Sequence, residues 1–133
     1  MINTGVYNYI NVLDKAADGS WQRNEAIANN IANINTPGYK RKDVSFQAEL
    51  QHALKASRYT SLDQKVEELN KGNRLSHIEP RTYVDHAEYS YRIDGNNVDV
   101  DNENVELASN QIVYQAIVQS INSEFQNLKT VIK

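Results

Sequence analysis

The 133-residue chain has no cysteine, only two prolines and five glycines, and a single tryptophan. Without cysteine there is no disulfide framework, no thiolate metal site and no thiol nucleophile. No apolar run is as long as a membrane-spanning helix or the apolar stretch of a cleaved signal peptide. Direct membrane insertion is therefore not expected, and if the protein leaves the cytoplasm, a route without a Sec signal is. Basic residues are slightly outnumbered, 14 Lys and Arg against 17 Asp and Glu, and the net charge of −3 argues against nucleic acid as a partner. The one tight basic cluster, Lys40-Arg41-Lys42, reads as a solvated turn. His52, His77 and His86 are scattered, with no second ligand at metal spacing.

Catalytic signatures are missing too. There is no P-loop, no GxGxxG, no GxSxG and no carboxylate pair placed for acid–base work, so neither enzyme activity nor a cofactor is expected. The acidic run from Asp94 to Glu106 offers oxygen ligands but fails the EF-hand template. Counting from Asp94 puts Val98 at the fifth position; counting from Asp99 puts Asn104 where glycine is required and Asn110 where a bidentate glutamate belongs. The run reads as a turn and a helix start, without a metal.

What the chain does have is a stretch around which the rest is arranged, Asn29 to Lys40. Upstream, Val6, Ile10, Leu13, Ala17, Ser20, Asn24, Ile27, Ile31 and Ile34 step by four and three, a heptad seam predicting one long helix. Its middle is weak: Gly19 costs up to about 1 kcal/mol in a helix interior, and Ser20 and Asn24 are polar. The alternative is a kink or loop at Asp18-Gly19-Ser20. Trp21, beside the seam, is expected to pack. Thr36-Pro37-Gly38-Tyr39 stops the helix, because the residue before proline leaves helical geometry, and suits a type II turn that leaves Tyr39 exposed or docked on a neighbour. Asn29, Asn30, Asn33 and Asn35 crowd the last turns although asparagine is a poor helix former, so another demand acts on those amides.

Downstream, Phe46, Leu50 and Leu54 predict a short helix to about Ala56, capped by Asp43 or Ser45. A second is expected over Ser61 to Asn70, with Val66 and Leu69 on one face and Gly72 as its stop. Between Pro80 and Val100 the period becomes two: Tyr89, Tyr91 and Ile93 alternate with polar residues before the turn material Asp94-Gly95-Asn96-Asn97, predicting a small β-hairpin whose aromatic face covers the start of the long helices. A last helix is expected from an Asp101 cap, with a cleaner seam of Leu107, Gln111, Tyr114, Val118, Ile121, Phe125, Leu128 and Ile132. The predicted class is thus mainly α. Residues 1–36 and 101–133 form two long terminal helices packing as a coiled-coil-like pair and one discontinuous domain, around an irregular middle over residues 37–100. With the large aliphatics near both ends, the core is not expected in the middle. The apolar residues of the last helix do not offset the entropy of ordering so long a rod against one partner. Copies or relatives of the chain are expected to supply the missing surface.

Asn30-Ile31-Ala32-Asn33, two further residues and Thr36-Pro37-Gly38-Tyr39 resemble the N-terminal signature of the bacterial flagellar rod, hook and hook-associated axial proteins. The short length and the run Asp94-Gly95-Asn96-Asn97-Val98-Asp99-Val100-Asp101, with Glu103, Leu107, Asn110 and Tyr114-Gln115-Ala116, resemble the proximal-rod members. The resemblance covers roughly residues 6 to 46 and 94 to 132. It implies a structural subunit whose terminal helices pack with those of itself and other rod proteins into a helical tube with a central channel. It further implies contact with the inner-membrane ring and rod-adaptor proteins, and passage unfolded through the flagellar type III export apparatus to the periplasmic rod. On that view the Asn30–Tyr39 motif shapes a helix end where subunits meet, with Asn30 and Asn33 bonding across chains; alternatively they satisfy carbonyls at their own helix end. A cytoplasmic coiled-coil adaptor or secretion chaperone is the rival function.

Overall fold

The computed structural model describes residues 4–86 and 92–132. It is mainly helical: α1 (Thr4–Ala32), β1 (Lys42–Val44), α2 (Phe46–Ala56), α3 (Leu62–Asn70), two 3₁₀ turns (Lys71–Asn73 and Leu75–His77), β2 (Thr82–Val84) and α4 (Val100–Ile132). At 1.5 Å per residue α1 and α4 are rods of roughly 43 and 50 Å. They lie antiparallel, because the end of α1 meets the start of α4 at Asn30 and Glu103 while Ser20 meets Asn110.

The weak middle of the first seam does not break α1. Gly19 lies inside an unbroken helix because the space beside it is taken: a Cβ there would stand 2.5 Å from the Phe46 ring. Glycine lets the first residue of α2 press onto the backbone of α1. This contact belongs to the main apolar cluster, where Ala26, Val44, Phe46, Leu69, Leu75 and Ile78 are buried and Val12, Ala16, Leu50, Ala53 and Leu54 pack against them. The core is therefore built by the middle of the chain on one face of α1, contrary to the expectation that it avoids the middle. The near-end bias of large aliphatics misled because Ala and Gly on α1 admit close packing without contributing bulk.

α2 and α3 fall where their spacing predicts, with Val66 and Leu69 buried. Ser45 does not cap α2 with its side chain; its hydroxyl donates to Glu49 instead. The sheet departs from the hairpin expectation. β2 pairs antiparallel with β1, Asp43 opposite Tyr83, across the whole α2–α3 segment. Tyr89 and Tyr91 lie outside the described residues, and Ile93, expected on the covered face, is fully exposed. A turn forms at Arg92–Gly95, two residues earlier than expected, and residues 96–99 continue as irregular chain, the Asn96 amide held by the carbonyls that follow α1, Asn97 by Arg41 and Asp85, and Asp99 by the start of α4. The start of α1 is held by α3: Tyr9 donates to Asp63, and Asn70 donates to the Asn8 carbonyl at 3.1 Å.

Candidate functional site

The two stretches that stand out in the sequence, 30–39 and 94–103, meet at one end of the helix pair. α1 stops at Ala32, short of Thr36, and its last turn tightens through an Ile34 N–H bond to the Ile31 carbonyl at 3.4 Å. Gly38 at φ +72 and a Tyr39 N–H bond to the Thr36 carbonyl at 3.3 Å make the reversal, as type II geometry requires. Ala32, Thr36 and Pro37 are exposed, Ile31 half-buried.

Asn30 is fully buried. Its amide donates to the Lys42 carbonyl at 2.7 Å and to Glu103 Oε2 at 3.0 Å, and its oxygen accepts from the Lys42 N–H at 2.8 Å and the Tyr39 hydroxyl at 3.2 Å. Two donors and two acceptor sites are thereby satisfied, the full capacity of an asparagine side chain. Lys42 bonds to β2 with neither group, so Asn30 serves as a third strand on the outer edge of β1. Within the chain this amide is fully engaged, by Lys42, Tyr39 and Glu103 rather than by carbonyls of its own helix end. Asn33 does serve its own helix end: its amide donates to the Asn29 carbonyl at 2.8 Å, and its oxygen accepts from Thr36. Tyr39 is half-buried, its hydroxyl on Asn30. Burial, and then the Glu103 charge, raise its pKa.

Asn96 adds donors from outside just past the end of α1. Its amide lies 2.9, 2.9 and 3.0 Å from the carbonyls of Asn33, Ile34 and Thr36, while its oxygen accepts from the Val98 N–H at 2.8 Å. Each of these carbonyls also accepts from a second donor, the Thr36 N–H, Arg92 and the Tyr39 N–H in turn, so Asn96 pins the turn that follows the helix. Gly38 N–H donates to the Asp94 carbonyl at 2.8 Å, and Lys40 Nζ to the Gly95 carbonyl at 2.7 Å. The acidic run is thus a clasp over the end of α1, and among the described residues no group of side chains is arranged to hold a metal. The cap of α4 is Asp99 rather than Asp101, its carboxylate accepting from the Asp101 N–H at 3.0 Å.

Beneath the clasp runs a chain of alternating charges, Glu106, Arg23, Asp43, Arg41 and Glu103, linking α4 to α1, to β1 and back to α4. Glu103 has a side chain 1% exposed and Arg41 one 15% exposed, so Arg41 is not the solvated turn residue expected. Burial alone would lower the Arg41 pKa, but Glu103 and Asp43 outweigh it and raise it. Burial likewise pushes Asp43 up, yet the Val44 N–H, Arg23 and Arg41 hold its carboxyl below the ordinary value.

The first seam lies inward: Ser20 and Ile27 are buried, and Val6, Ile10, Leu13, Ala17, Asn24, Ile31 and Ile34 half-buried. The second is half displaced. Leu107, Tyr114, Ile121 and Leu128 are half-buried, but Gln111, Val118, Phe125 and Ile132 are exposed, Phe125 at 53%. The inward positions between them are Glu103, Asn110, Ile117 and Glu124, which keep the same four-and-three step. Choosing positions by apolarity favoured Phe125 over Glu124, and the seven-residue step then carried the choice to Val118 instead of Ile117. The missed signal was the polar gap in the first seam: Ser20 and Asn24 called for a polar partner, which Asn110 is. Trp21 stacks tilted on Tyr114 at 6.4 Å with most of its ring in solvent.

Known proteins carry this pattern. The family described as "Flagella basal body rod protein" matches residues 21–40, the end of α1 and the turn. A relative in Bacillus subtilis strain 168 named "Flagellar basal body rod protein FlgB" is 41% identical, over 90% of this chain and 89% of its own length. Proteins of the same name from Borrelia hermsii and Escherichia coli K12 are 34% and 32% identical over 84% of this chain, covering 85% and 83% of their own. With identity spread over nearly all of both partners, this chain belongs to the FlgB family of flagellar basal body rod proteins.

Proposed function

We propose that the chain is a structural subunit of the proximal flagellar rod, assembling through its terminal helices into a helical tube that transmits torque and encloses an export channel. The observation that carries this reading is the asymmetry of α4. Glu103 and Glu106 tie its start into the chain's own junction, while Ile112, Val118, Phe125, Val131 and Ile132 stay exposed along the rest. Such a stripe on a rigid rod suits head-to-tail contacts with further copies and with other rod proteins. On this reading α1 and α4 pair in the manner of a coiled coil, the Asn30–Tyr39 motif acts in assembly by shaping the end of α1, and the two terminal helices form the assembling unit. The partners are the neighbouring rod proteins, the inner-membrane ring and its rod adaptors, reached in the periplasm through the flagellar type III apparatus. A structural rod protein needs neither catalysis nor cofactor, and none is assigned.

Mass spectrometry of purified hook and basal-body particles tests the reading. The chain is expected in wild-type particles, and particles from a deletion strain are expected to stop at the inner-membrane ring. Its absence from the particles, with motility surviving the deletion, would overturn the proposal.

A further inference from the structure

An apolar seam holds two helices together without saying how far one has slid along the other. Moving α4 by one heptad, about 10.5 Å, sets leucines and isoleucines against leucines and isoleucines once more. In this chain two buried clusters distinguish the positions, Glu103 on Asn30 and Arg41 at the junction and Asn110 in the middle of the pair. Asn110, 3% exposed, donates to the Ser20 carbonyl at 2.8 Å and lies 3.2 Å from Asn24 Oδ1, while its own oxygen accepts from the Ser20 hydroxyl at 3.1 Å. Ser20 is itself buried.

We infer that Asn110, with Ser20 and Asn24, sets the stagger of α4 on α1. By the seam spacing, a one-heptad slip moves Asn110 between Leu13 and Ala17 or between Ile27 and Ile31. Either move strands a buried amide among apolar side chains and removes the partner of Ser20. A buried polar group is costly when unpaired and nearly neutral when paired. The cluster therefore penalises wrong positions more than it favours the right one, the use for which buried polar seam residues are best attested. The stagger in turn decides which part of α4 lies beyond the start of α1. This inference concerns the single chain and holds whether or not the rod reading does.

The composition supplies the test, because the chain has one tryptophan and no cysteine. Trp21 faces Tyr114. A nitroxide on a cysteine at 114 quenches Trp21 emission in the native stagger, whereas labels at 107 or 121 quench it only after a one-heptad slip. The full-length chain is labelled in turn through Tyr114→Cys, Leu107→Cys and Ile121→Cys, with and without Asn110→Leu. With Asn110 present, quenching is expected from 114 alone. With Asn110→Leu, helix content by circular dichroism is expected to hold while quenching from 107 or 121 rises at least twofold. Quenching that stays confined to 114 would overturn the inference, since the Glu103 junction and the apolar seam would then suffice without Asn110. Loss of helix in Asn110→Leu would overturn it equally, since the cluster would then hold the pair together and not merely align it.

Discussion

The two ends of the helix pair are built on opposite terms. At the junction the end of α1, β1 and the start of α4 share saturated polar groups: Asn30, Asn96 and Glu103 are each at most 1% exposed, and among the described residues no buried side-chain nitrogen or oxygen lacks a partner. Toward the other end α4 carries Phe125, Val131 and Ile132 at 53, 83 and 77% exposure. The start of α1 there is held by α3 through Tyr9, its hydroxyl pKa pushed up to about 12 by the hydrogen bond to Asp63 and by burial, and through Asn70. The junction is thus complete within one chain, while the far end is an apolar surface still uncovered. Polar networks demand exact partners and suit contacts that every copy makes identically. Apolar stripes tolerate different neighbours.

Substitutions should separate the two ends. The largest effect is expected from Glu103→Ala, which leaves Arg41 to Asp43 and Asp85 and one N–H of the buried Asn30 amide without its acceptor; removing one partner of a buried pair costs about 3 to 5 kcal/mol, read as a lowered urea midpoint of the purified chain. Gly19→Ala is next. Helix propensity alone predicts a gain of up to about 1 kcal/mol, but the added methyl meets the Phe46 ring, and overpacking of this kind costs about 1 to 3 kcal/mol. A net loss in the same denaturation experiment is expected, and a net gain would show that α2 yields easily. Asn96→Ala removes one of two donors from the carbonyls just past α1, for about 1 kcal/mol, and hydrogen exchange should rise first at the end of α1.

At the other end Phe125→Ser is expected to cost the isolated chain no more than about 1 kcal/mol, while incorporation into purified basal bodies falls several-fold. A reversed outcome, a weakened chain with normal incorporation, would erase the contrast between the ends. The smallest effect concerns acid. With its pKa depressed, Asp43 is protonated less readily in the folded chain than in the unfolded one. Its stabilisation is complete above the unfolded carboxyl value near about 4 and is lost as pH falls through the lower folded value. The Asp43→Asn chain should therefore show a shallower loss of stability below about pH 4 than the parent.

Much of the frame was legible before any coordinates. α2 and α3 begin and end within a residue of their expected limits, and the reversal after Thr36 is carried by Pro37 and Gly38. These features rest on local chemistry, where spacing and backbone preference act over a few residues. What misled was the equation of inward with apolar. Glu103 and Asn110 lie on the buried face of α4 while Phe125 is half in solvent, because a helix face is chosen by the partner it meets. Asp43 likewise stands opposite Tyr83 across two intervening α-helices, a pairing no short window reveals.

The sequence by itself determined the long terminal helices, the turn that ends the first, and the family signature, since each is written in residues close along the chain. Only the tertiary structure decided what the signature touches. Asn30, Tyr39, Arg41, Asn96 and Glu103 are as far as 73 residues apart along the chain. Their amides, guanidinium and carboxylate became partners because folding removed the water that would otherwise have served them.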